Sequence, residues 1–132
     1  MLLADASMSK ITSYRDLQVW QQSIDLVEHC YALVGSFPAR DRFIFGDQII
    51  RSAVSISANI AEGSRRPRRA FLNYLSIALG SQAELETHLE IVRRLQLNPP
   101  LAASTDSLAR SVGRLLNGLE ASLARLSHST DH

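Results

Sequence analysis

The sequence is poor in several things, and each shortage removes a class of protein. It holds one cysteine, Cys30, so no internal disulfide framework staples the chain. It has no apolar run near the length of a membrane span and no signal-peptide pattern, which points to a reducing cytoplasm and no membrane partner. No P-loop or dinucleotide fingerprint is present, nor any segment of strand period or internal repeat. Lysine is nearly missing: thirteen of the fourteen basic residues are arginine. Arginine suits bidentate contacts with phosphate and carboxylate better than lysine does.

What remains is a chain of 132 residues with 45% hydrophobic content, enough for one core and one domain. The periodicity is helical throughout, and the spacing predicts helices over Arg15 to Phe37, Arg42 to Glu62, Pro67 to Leu97 and Leu101 to Leu126. Residues 1–13 read as a flexible N-terminal arm, with Met8 an alternative start, 14–126 as the bundle domain and 127–132 as a disordered tail. Ser13 and Asp16 form a capping-box pair at the start of helix one. Leu17, Trp20, Ile24, Val27, Tyr31 and Val34 give that helix its expected core stripe, widened by Val19, Leu26, Cys30 and Leu33. Helix two carries Ile49, Ile50, Ala53, Val54, Ile56, Ile60 and Ala61 on one face and ends at Gly63, the residue that best tolerates a left-handed cap. Phe71, Leu75, Ala78, Leu85, Leu89 and Val92, interrupted by Gln82, mark helix three. Leu108, Val112, Leu115, Leu119, Leu123 and Leu126 mark helix four, capped by Ser104 or Thr105. Short connections predict an all-α, antiparallel up-and-down four-helix bundle.

Two surfaces stand out. Gln48, Ser52, Ser55, Asn59 and Glu62 line the second face of helix two with short polar side chains, which let another helix approach closely. Ser52, Ser55 and Asn59, with Gly80 and Ser81 of helix three, are therefore the expected contact between subunits; an ordinary wet face is the other reading. The second surface is basic. The net charge is only +1, yet seven arginines face three acids between Arg40 and Arg69, and Arg65, Arg66, Arg68 and Arg69 flank a helix start whose free N–H groups favour anions. A polyanion contact is one reading of them. Salt bridges to a neighbouring subunit are the other.

Catalytic and metal chemistry find little support. Glu84 with His88 and Asp25 with His29 stand four residues apart on two helices, but the di-iron bundle signature also needs carboxylates from the other two, and only Asp47, Glu62 and Glu120 are on offer there. Ser55, Ser57 and Ser81 have no histidine nearby to serve as base. Cys30 lacks a helix-start position and cationic neighbours, so it reads as a small buried hydrophobe. No cofactor, metal or enzymatic activity is expected.

Tyr14 to Gln21, Phe37-Pro38, Gln48 with Ser55 to Gly63, Phe71 to Leu75, Ala78 to Ser81 and Glu84 to Thr87 together resemble the bacterial four-helix-bundle proteins encoded in intervening sequences of large-subunit ribosomal RNA genes. The same family is similar to the accessory variability determinant of diversity-generating retroelements. The resemblance covers roughly Tyr14 to Leu126 and departs where Ile44, Ser57 and Ile50 replace an expected glycine, proline and basic residue. It implies a homopentamer of bundles without catalytic activity. It also implies a basic surface that works with RNA or DNA, and with a reverse transcriptase as partner in the retroelement relatives.

Overall fold

The computed structural model describes residues 13–130, so the expected arm up to residue 12 and the last two residues of the expected tail lie outside the described residues. A 3-10 turn, Tyr14–Asp16, precedes α1 (Gln18–Gly35), α2 (Ala39–Ser64), α3 (Arg68–Arg94) and α4 (Pro99–Thr130). Each helix packs on its neighbour in the chain, and α1 packs on α4 to close the bundle. Among the described residues there is no strand, and no helix is long and apolar enough to cross a membrane.

The capping box forms, but it closes the 3-10 turn. Arg15 N donates to Ser13 Oγ at 2.9 Å, and Ser13 N donates to Asp16 Oδ2 at 3.3 Å. Leu17 then breaks the path with an extended ψ of 126°, and α1 starts one residue later. At the other end of the molecule's sequence, α4 opens on Pro99, where a missing N–H costs nothing. Asn98, at a left-handed φ of 44°, accepts from Leu101 N with its side chain. Ser104 and Thr105 are therefore not caps. Thr105 is buried inside α4 and its hydroxyl donates to Leu101 O.

The core row of α1 is mainly the one expected to widen the stripe; of the expected stripe itself only Leu17 and Val34 are buried. Val19, Ser23, Leu26, Cys30, Leu33 and Val34 are buried, while Trp20, Ile24 and Val27 are half-buried and Tyr31 is 73% exposed. Both sets repeat every three or four residues, so period alone ranks neither. The bundle decides, because Leu26 and Leu33 point between the other helices and the Trp20 row runs along a flank. Trp20 is held there edge-on to Tyr14, with ring centroids 5.1 Å apart. Val54 is likewise exposed on α2, as is Leu126 on α4, whose buried row runs instead through Ala102, Ala109, Val112, Leu116, Leu119 and Leu123. On α3 the expected row is buried as a whole.

Two close approaches explain glycines and a glutamine. Gly63 is helical with no positive φ, so it is not a left-handed cap. It is small because a Cβ there would lie 2.6 Å from Tyr74 Cβ and 2.9 Å from Phe71 Cδ1, at the seam of α2 and α3. Overpacking of this kind costs about 1–3 kcal/mol, and Gly63→Ala is expected to lower the urea midpoint accordingly. An unchanged midpoint would show that α2 and α3 do not meet so closely. Gln82 occupies the core at 7% exposure because Gly113 of α4 leaves it room and Ala109 O accepts from its Nε2 at 3.0 Å. A buried amide is tolerable only when bonded in this way.

Candidate functional site: a basic corner and a polar seam

Helix α2 ends at Ser64 with Arg65 as its C-cap, Arg66 and Pro67 make the turn, and Arg68 and Arg69 open α3. The chain therefore brings the four arginines to one corner. They are not equivalent. Arg66 Nη2 donates to Glu62 Oε2 at 2.7 Å, one helical turn back, and its guanidinium lies 5.7 Å from the centre of the Tyr74 ring. The hydrogen bond to Glu62 first, then the charges of Tyr74 and Glu62, hold its proton more tightly than usual. Arg65 and Arg69 are exposed, and neither has an ion pair among the described residues. Pro67, the N-cap of α3, makes no side-chain cap hydrogen bond to the first turn of that helix.

Arginines elsewhere are mostly neutralised or isolated. Arg93 and Arg94 both grip Glu90, and those hydrogen bonds, Arg93 first, hold its carboxyl down at about 2. Arg110 pairs with Asp106 at 2.8 Å. Arg114 is exposed on α4 without an ion pair among the described residues, as are Arg40, Arg42 and Arg51 on α2. Position along the chain, not composition, thus gathers four arginines within five residues at the α2–α3 corner. Tyr74 was not legible as part of it, because its place three residues along α3 from Phe71 resembles any flank position. Arg15 was missed for the same reason; it sits 5.4 Å from the Trp20 ring and 5.7 Å from Tyr14.

The middle of the polar stripe of α2 is bonded within its own chain, while Gln48 and Glu62 at its ends are exposed. The Ser55 and Ser81 hydroxyls share a hydrogen bond at 2.8 Å, and Asn59 Nδ2 donates to Ser55 O at 2.8 Å and Ser55 Oγ at 3.2 Å. Ser52 is 3% exposed and donates to Ile49 O, so it has no surface to offer a second subunit and leaves the expected contact. Gly80 is exposed, and a Cβ added there would meet nothing within 4 Å. It does not admit a neighbouring helix of its own chain.

The remaining candidates stay apart. His88 Nε2 lies 3.4 Å from Glu84 Oε2, whereas His29 Nδ1 meets the backbone oxygen of Asp25 at 2.9 Å. Among the described residues no group of three or more His, Cys, Asp or Glu is placed to hold a metal. Cys30 is fully buried, and burial pushes its thiol up to about 12. It should not react with a thiol reagent at pH 8 until the protein is unfolded in urea. Prompt labelling of the native protein would contradict its burial.

An all-α bundle with a basic corner and an internally bonded polar seam is the class these features define. Residues 15–118 match the model of the 23S rRNA-intervening sequence protein family, and the chain belongs to that family. It is also similar to the crystal structure of a protein with unknown function from the S23 ribosomal protein family of Bacteroides thetaiotaomicron VPI-5482. The two are 27% identical with a TM-score of 0.68, over 77% of this chain and 97% of that one. No curated protein matches the chain.

Proposed function

We propose that the protein is a non-enzymatic, homo-oligomeric scaffold that associates with RNA or DNA through Arg65, Arg66, Arg68 and Arg69. The observation that carries this reading is the α2–α3 corner, where the exposed Arg65 and Arg69 guanidinium groups flank a helix start with no side-chain cap. Phosphate oxygens answer the charge of these arginines at a helix N-terminus, whose dipole also favours an anion.

The bundle is antiparallel and up-and-down in this reading. Ser55 against Ser81, Gly63 against Phe71, and Gln82 against Ala109 support that order, since in each pair the residue numbers run in opposite directions away from the connecting turn. Subunits then close into a ring, with five the expected count. Large apolar side chains left exposed, above all Phe43 at 90%, support assembly, because a monomer gains nothing by holding them in water. Gly80, with the outer edges of Ser55, Asn59 and Ser81, is the proposed contact.

Light scattering tests the assembly. Gly80→Arg is the clean variant, because a Cβ there meets no atom of its own chain within 4 Å, whereas Ser55→Arg would also break the α2–α3 seam. An oligomer that Gly80→Arg converts to monomers with full helix content is the expected result. A monomeric parent ends the assembly reading, and a parent that binds no oligonucleotide at 50 mM salt ends the nucleic-acid reading.

A further inference from the structure

Arg66 differs from its neighbours in a way that bears on which nucleic acid the corner takes. Its charge is already answered by Glu62 at 2.7 Å, so it is a poorer phosphate ligand than Arg65 or Arg69. Its guanidinium is, in contrast, held from two sides. Glu62 holds one edge, the Tyr74 ring lies 5.7 Å below, and the side chain stays 49% exposed. Tyr74 is itself anchored, with its Cβ and Cγ pressed on Gly63, so the pair is seated on the bundle and does not need ordering on contact. A planar cation over an aromatic ring, exposed between two unpaired arginines, has the chemistry of a stacking platform.

We infer that this corner binds unpaired nucleotides in preference to duplex, a base stacking on the Arg66–Tyr74 pair while Arg65 and Arg69 hold flanking phosphates. This rests on the nucleic-acid reading above and narrows it to a substrate class. A paired base is stacked within its helix and cannot reach a platform on a convex surface, so a duplex offers the corner its backbone alone. A single strand offers the backbone and the base faces together. Stacking of this kind is sequence-tolerant, because every base has a π face.

Fluorescence anisotropy of the full chain with a labelled 12-nucleotide oligo(U), a matched oligo(dT) and a 12-base-pair duplex, at one salt concentration, tests it. Single strands should bind roughly tenfold more tightly than the duplex, the scale expected for one stacked base. Either sugar satisfies the inference. Arg66→Lys keeps a positive charge beside Glu62 and removes the plane, so it should weaken single-strand binding far more than duplex binding and abolish the preference, with helix content that of the parent. Tyr74→Leu should do the same, and Tyr74→Phe should retain the preference. Equal affinity of the parent for single strand and duplex, or a preference that survives Arg66→Lys, overturns the inference and leaves a phosphate-binding corner standing. Binding of no probe at all removes the nucleic-acid reading itself.

Discussion

Leu26→Ala is expected to destabilise the protein by about 2–5 kcal/mol, whereas Tyr31→Ala, five residues along the same helix, should change stability by no more than roughly 0.5 kcal/mol. Leu26 is fully buried on the row that α1 turns toward the other three helices, so truncation removes apolar contacts and leaves a cavity that close-packed neighbours fill only in part. Tyr31 keeps 73% of its surface in the single chain and has little to lose. Trp20 lies between them. Half-buried on the flank with its ring edge-on to Tyr14, it should lose less than the full penalty of a buried tryptophan. Urea unfolding of the three variants checks the order, and a Tyr31→Ala loss equal to that of Leu26→Ala would return the core to the Trp20 row.

That contrast shows where sequence stops being informative. Helix existence was legible, because proline and glycine punctuate the chain at Pro38, Pro67 and Pro99 and apolar residues recur between them. On α3 the facing was legible too, since one row is apolar along the helix except at Gln82, while Leu72, Ile77, Leu79 and Ile91 fall off it singly. On α1 two adjacent rows are apolar, and choosing between them requires knowing where the other helices stand. The same limit governs the short polar residues of α2. Ser52, Ser55 and Asn59 signal close approach correctly in general, but the approaching helix at Ser55 is α3 of the same chain, through Ser81. Gly63 reads in the sequence as a left-handed cap, and only the position of Tyr74 shows it to be a close contact. The four arginines were legible as a cluster; their division into one paired with Glu62 and two unpaired depends on side-chain geometry.

Electrostatic binding carries the second large effect. Each phosphate neutralised on a single strand contributes about −0.7 to the slope of log affinity against log salt, so contacts by Arg65 and Arg69 predict about −1.4 for each subunit engaged. Raising salt from 50 to 200 mM should therefore weaken binding roughly sevenfold for one subunit, and by that factor again for each further subunit on the same strand. Arg93, Arg94 and Arg110 should add little, since Glu90 and Asp106 already hold them.

The most direct measurement is the salt slope of oligo(U) binding for the parent and for the variant in which Arg65, Arg66, Arg68 and Arg69 are all alanine, with mass and helix content recorded for both. The corner reading predicts a slope that collapses toward zero in the variant while mass and helicity stay those of the parent. A variant that binds with the parent's slope would contradict it and move the contact to Arg114 and its surroundings; a variant that separates into subunits would contradict it by making the arginines part of the assembly.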